Sequence, residues 1–206
     1  MKKLFITTLL SLPILASAGP VLSSELLVNG SFESDLQAHG TYSIRANLTG
    51  WTGGANGIEL RDAVAGAAYD GNNFIELDVR ANSSISQSFA TTIGQSYLLT
   101  FAFAARPGSK NAASNGINWS AGDMSDIAFG LDINSSWTLA NATFVATGNT
   151  TTLTFNAIGI SDAVGTSLDD VSVRAIPEPA SYALVLLGLA ACGLATLSGR
   201  QARSKH

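Results

Sequence analysis

The sequence predicts an all-β protein: an antiparallel jelly-roll β-sandwich with a cleavable leader before it and a single membrane-crossing helix after it. Three observations carry this. Apolar residues recur with period two, not 3.6, along most of the chain. Turn-forming clusters interrupt these runs at the short spacing of an antiparallel β protein. Both ends are uncharged apolar segments next to basic residues, a pattern foreign to a globular core.

The leader occupies residues 1–18. Lys2 and Lys3 make its positive start, residues 4–15 its apolar stretch, and Ala16-Ser17-Ala18 a small-x-small cleavage site. Retention as a spanning helix is disfavoured, because the run is too short and carries Pro13. Residues 19–176 then form one domain of about 160 residues, enough for a sizeable core. No disulfide supports it, because the sole cysteine is Cys192, inside the C-terminal apolar run.

Within that domain, residues 74–80 alternate most clearly. Ile75, Leu77 and Val79 point to a core, and Glu76, Asp78 and Arg80 to a wet face balanced by Arg61. Ile85, Gln87 and Phe89 follow. Tyr97, Leu99, Phe101 and Phe103 alternate with Leu98, Thr100, Ala102 and Ala104, a strand buried on both faces and central in its sheet. Further strands are expected at 25–28, 57–60, 127–131, 137–145, 151–157 and 166–174. The Thr- and Ala-rich stretch 140–154 reads as a solvated strand pair. About nine strands in one domain argue a jelly-roll sandwich.

The last segment, 177–206, has three parts in order: Pro177-Glu178-Pro179, an apolar run of 18 residues from 180 to 197, and a tail with Arg200, Arg203 and Lys205. The prolines delay helix formation until after the tripeptide. At about 1.5 Å per residue the run spans roughly 27 Å, close to the ~30 Å hydrocarbon layer, and the trailing cations favour the cytoplasmic side. The order resembles the PEP-CTERM sorting signal of Gram-negative bacteria. That resemblance implies a membrane anchor processed near the tripeptide by an exosortase-type membrane protease, leaving the domain at the cell surface or in the extracellular matrix. The basic residues of the tail are more spaced than in that pattern.

Between Glu25 and Glu178 lie all 15 acidic residues but only six of the 11 basic ones, a net charge of −9. Such a surface repels nucleic acid and anionic lipid and suits cations or neutral glycans. His39 is the only histidine between the two terminal segments, so multi-histidine metal or catalytic centres are excluded there. No G-x-S-x-G elbow accompanies it, and the glycine-rich 50–57 opens no helix that could cradle phosphate.

A second resemblance rests on short motifs in a fixed order: Leu27-Val28-Asn29-Gly30-Ser31-Phe32-Glu33, Gly50-Trp51-Thr52, Gly57-Ile58-Glu59, Asp70-Gly71 with Ile75-Glu76-Leu77, Ser84-Ile85-Ser86-Gln87, Gly94-Gln95-Ser96-Tyr97 and Leu168-Asp169-Asp170-Val171. Together they resemble the domain-of-unknown-function family 642 across nearly all of 26–173. The resemblance implies a galactose-binding-like jelly roll in a cell-wall or cell-surface setting, and no established reaction.

Three constellations are candidates for chemistry. Glu33 with Asp169 and Asp170 offers hard oxygen donors for a structural calcium ion, if the first and last strands are neighbours as in related sandwiches. The alternative is that these carboxylates cap turns or pair with Arg174. The aromatic set Tyr42, Trp51, Tyr69, Trp119 and Trp137 can stack on sugar faces, with Asn side chains for hydroxyls. Trp119, framed by Asn115, Asn118 and Ser120, with Tyr69 and Trp137, is the candidate ligand surface, whereas Trp51 reads as core. Glu59, Glu76 and Asp78 suggest a glycosidase pair, but a solvated acidic face is the better reading. The sequence therefore points to a non-enzymatic exported protein that binds extracellular polysaccharide. The alternatives are a purely structural or adhesive surface protein and a carboxylate-dependent glycoside hydrolase.

Overall fold

A computed structural model describes residues 23–107, 112–129 and 136–177. The leader lies outside the described residues, as do Glu178, Pro179, the apolar run and the basic tail; exposed Pro177 is the last residue described. Among the described residues no helix is long and apolar enough to cross a membrane.

Among the described residues twelve strands build two six-stranded sheets: β1 (Thr41–Arg45), β2 (Asn47–Leu48), β3 (Trp51–Gly53), β4 (Ile58–Asp62), β5 (Asn73–Glu76), β6 (Ser84–Ala90), β7 (Ser96–Ala105), β8 (Gly116–Ala121), β9 (Met124–Phe129), β10 (Thr138–Val145), β11 (Thr150–Ile158) and β12 (Thr166–Ala175). The first sheet runs β1-β4-β5-β12-β7-β10 and the second β2-β3-β6-β11-β8-β9, with antiparallel neighbours throughout. The antiparallel sandwich expected from the alternation is thus present, and β7 has partners on both sides.

The core is the layer between the sheets. Leu60, Ile75, Leu168 and Phe103 form one inward row of the first sheet. Phe101 joins the layers, with ring centroids 5.1 Å from Phe155, 6.0 Å from Phe103 and 6.3 Å from Trp119. Large rings meeting edge to face fill a space that smaller residues would leave partly void.

Several sequence expectations differ from the structure. Residues 25–28 are not a strand, although they do run beside β12. Leu26 N donates to Val173 O at 3.0 Å and Val171 N to Gly30 O at 3.0 Å. The ladder is interrupted because Glu25 Oε1 itself accepts from Val173 N at 2.9 Å, taking the place of a main-chain carbonyl. The close approach demands glycine, since a Cβ on Gly30 would stand 1.9 Å from Val171 O. Stretch 140–154 is not a strand pair either: β10 belongs to the first sheet and β11 to the second, and the turn at 147–149 carries the chain between them. Strand β5 stops at Glu76, and Asp78 makes only an isolated bridge with Asn82. Strands β1, β2, β3 and β8 were not expected.

Candidate functional site

The register sets two rows of residues on the face of the first sheet turned away from the core. One contains Ile44, Glu59, Glu76, Ser167 and Ala104; the other brings together Tyr42, Arg61 and Phe74. Alternation alone makes this face wet, but the structure buries much of it. Arg61, Glu76 and Asp78 are each 0 % exposed, so the expected solvated acidic face is corrected. The cause is tertiary: residues 161–165, ahead of β12, close over Glu76 and Asp78, with Gly165 N donating to Glu76 Oε1 and Asp162 N to Asp78 Oδ2, while the connection 63–72 between β4 and β5 folds back beside Phe74.

Carboxylates hold that connection down. Asp169 Oδ2 accepts from Tyr69 N at 2.8 Å and Asp70 N at 3.0 Å, and its Oδ1 accepts from Asp170 N at 2.7 Å. Glu33 Oε1 accepts from Asn72 N at 2.8 Å and Asn73 N at 2.6 Å. Glycine is required between them, because Gly71 has a φ of 66° and an added Cβ would lie 2.6 Å from the Glu33 carboxyl. The connection carries further positive φ values at Ala63 and Ala65, a conformation that L-residues adopt only under tertiary constraint.

Beneath it lies an ionic network. Arg61 Nε meets Glu59 Oε1 at 2.7 Å, and Arg106 Nη1 lies 3.5 Å from Glu76 Oε1. Arg61 Nη2 and Glu76 Oε2 are an ion pair at 2.5 Å whose angles do not make a hydrogen bond. Gly165 N donates to Glu76 Oε1 at 2.8 Å. Burial pushes the Glu76 carboxyl up to about 7 despite the Arg61 charge, and pushes Asp169 up to about 7 against its three backbone donors.

The covering connection leaves a cavity of roughly 170 Å³ at the strand ends. Its floor is Ala104 and Ser167, its walls Phe74 and Trp137, and residues 65–68 bridge over it. Trp137 Nε1 donates to Ala67 O at 3.0 Å and so ties the bridge to the start of β10. The Trp137 ring stands edge-on to Phe74, centroids 5.9 Å apart at 89°, and 6.1 Å from Tyr69, which is 46 % exposed. On the far side of Phe74, the Arg61 guanidinium lies 5.9 Å from its ring centre. Of the aromatic candidates, Trp137 lines the cavity together with Phe74, and Tyr69, outside the lining, stands against the Trp137 ring.

The other candidates lie elsewhere. Trp119 is 4 % exposed in the core against Phe101, so its ring offers no face to a ligand. Asn118 is half-buried on β8, opposite Ile127 and Asn156, in the second sheet and not beside the cavity. Trp51 is core as expected. The donor set proposed for calcium does not fit an ion. Glu33 Oε1 and both Asp169 oxygens accept from backbone N–H groups, and among the described residues no three acidic, histidine or cysteine side chains converge. Asp170, at the irregularity between β12 and β7, has a φ of 47° and a carboxyl raised first by burial, then by the charges of Asp70 and Glu25. It lines a second, shallow concavity of roughly 220 Å³ with Leu98, Thr100, Ser172 and Arg174, which holds no aromatic ring.

Comparison with known proteins places this architecture. The family described as Protein of unknown function (DUF642) matches residues 25–174. No curated protein matches the chain. Among solved structures, a Stig cyclase from Fischerella sp. TAU in complex with an indole compound superposes with a TM-score of 0.57 at 18% identity, covering 76% of this chain and 99% of that one. TmCBM61 in complex with beta-1,4-galactotriose gives 0.50 at 17% identity, covering 73% and 98%. An arabinose-bound α-L-arabinofuranosidase, MgGH51, gives 0.52 at 15% identity over 77% of this chain and 27% of that one. At these identities the likeness is one of fold.

Proposed function

The chain belongs to the DUF642 family, and from that premise we propose that it is an exported, non-catalytic surface protein that binds neutral extracellular polysaccharide. The carrying observation is the cavity lined by Phe74 and Trp137 on the outer face of the first sheet, with the exposed Tyr69 against the Trp137 ring. Aromatic rings bury the apolar faces of sugars, and the acidic balance of the chain disfavours anionic polymers. A neighbour in fold, TmCBM61, was solved holding a neutral galactotriose, which supports the ligand class. The non-catalytic reading is supported by the carboxylates: Glu76 and Asp169 are fully buried, neither lines the cavity, and each is engaged by backbone donors. One stacking site gives weak affinity, so many copies on one surface supply the avidity.

Delivery belongs to the same proposal. The leader exports the chain across the inner membrane of a Gram-negative bacterium, the C-terminal apolar run anchors it, and an exosortase-type membrane protease processes it near Pro177-Glu178-Pro179. The domain then resides on the cell surface or in the extracellular matrix. Affinity electrophoresis of protein recovered from expressing cells, against neutral and acidic polysaccharides, tests the binding claim. Retardation by at least one neutral polymer with no release of reducing ends is expected. Release of reducing ends abolished by Glu76→Gln would replace this reading with a hydrolase; no retardation by any polymer would leave a purely structural or adhesive protein. Mass spectrometry of the surface form tests processing, which an intact Arg200 to His206 tail would contradict.

A further inference from the structure

We propose that the cavity under residues 65–68 receives an acetyl substituent carried on the polysaccharide, while the sugar ring itself lies outside against Tyr69 and Trp137. The inference rests on the saccharide-binding reading above and narrows its ligand class. Size comes first. At roughly 170 Å³ the cavity is close to the ~150 Å³ apolar void that accepts a single benzene, and well short of the ~300–1,000 Å³ of sites that enclose a whole ligand. It holds a substituent, not an oligosaccharide.

The lining decides which substituent. Among the described residues, alanine, glycine, proline, Phe74 and Trp137 supply nearly all of it, and Ser167 provides the only side-chain hydroxyl. The carbonyl of Ala67 is already occupied by the Trp137 indole. A pyranose carries hydroxyls around its ring, and entry would strip several of them of water with a single hydroxyl to replace it. An acetyl group presents the opposite balance: a methyl for the alanine floor and one carbonyl acceptor for the Ser167 hydroxyl. No charge is needed, and Arg61, against Phe74, is not part of the lining, so among the described residues a carboxylate substituent finds no cationic partner there.

Burial of one methyl-sized group is worth about fourfold in affinity, and a hydrogen bond brings the expected preference to roughly tenfold. The experiment uses the full chain with xylan, mannan and galactan, each presented in a partially O-acetylated form and after mild alkaline de-esterification. The expected result is about tenfold tighter binding of at least one acetylated polymer than of its de-esterified partner. Ala104→Leu, which fills the floor, should erase that preference. Ser167→Ala, which adds no bulk, should reduce the preference by a fewfold and serves if the leucine variant does not fold. Equal affinity for both forms would overturn the acetyl assignment and leave polysaccharide binding standing. Binding to neither form would overturn both. A preference untouched by the folded variants would remove it from this cavity.

Discussion

Asp169 should make the protein more stable in mild acid than at neutral pH, the reverse of ordinary acid denaturation. Its carboxyl is 0 % exposed, and burial raises it from 3.8 to about 7 even though Tyr69, Asp70 and Asp170 donate to it. Between those two values the folded state keeps a proton that the unfolded chain has released. Stability is therefore full below about pH 4 and declines as pH rises through about 7. A displacement of roughly three pH units at ~1.4 kcal/mol each bounds the effect near 4 kcal/mol. Glu76, also raised to about 7, adds a decline of the same sign. Asp169→Asn keeps an acceptor for the Tyr69 and Asp70 amides but does not titrate, so it should flatten about half of the slope. Urea unfolding followed from about pH 4 to about pH 7.5 reads this directly. Wild-type stability that climbs across the same window would refute the reasoning, because it would mean that the three amide donors outweigh burial and hold Asp169 ionised.

Three further outcomes follow from the carboxylate clamps and the close backbone approach. Glu33→Ala leaves the Asn72 and Asn73 amides without their acceptor, which should cost about 1–3 kcal/mol and speed hydrogen exchange at both; unchanged exchange would mean the clamp is not needed. Gly30→Ala forces a Cβ onto Val171 O and should destabilise by about 2–4 kcal/mol in thermal unfolding, whereas a neutral result would contradict the packing of 23–30 against β12. Chelation should leave the melting temperature unmoved, because Glu33 and Asp169 are committed to amides; a calcium-dependent rise, worth about 2.7 kcal/mol at one hundred times Kd, would show a site formed by other groups.

The inward half of the fold was legible in the sequence because alternation reports a strand's two faces locally. Ile75, Leu77, Leu99, Phe101 and Phe103 are where period two puts them. What alternation cannot report is a second cover. Glu76, Asp78 and Arg61 sit on the face that pattern assigns to solvent, and Glu76 and Asp78 are covered by residues 161–165, which arrive from 84 to 89 positions further along the chain. Trp119 was misread although the signal existed. Ile117, Trp119 and Ala121 alternate with Asn118 and Ser120, and the same rule that worked for β7 turns the indole inward. The polar neighbours that made it look like a binding residue mark the opposite face of its strand. Glu33 and Asp169, expected as calcium ligands, both reach the 69–73 turn, where their partners are backbone amides, which side-chain chemistry alone does not disclose. The meeting of Tyr69 with Trp137 depends on the Trp137 to Ala67 hydrogen bond, a contact across 70 positions with no local signature.

The central claim is that saccharide is bound at the Trp137 cavity with Tyr69 beside it, and the indole N–H resonances test it most directly. The chain contains three tryptophans, of which Trp51 and Trp119 are buried in the core and Trp137 borders the cavity. Titration of the isotope-labelled protein with a retarding neutral polysaccharide should shift the Trp137 indole signal saturably while the other two stay in place, and Trp137→Phe should identify the moving peak. A Trp137 signal that remains fixed while binding is established by another probe would contradict the account and send the ligand to a different face of the sandwich.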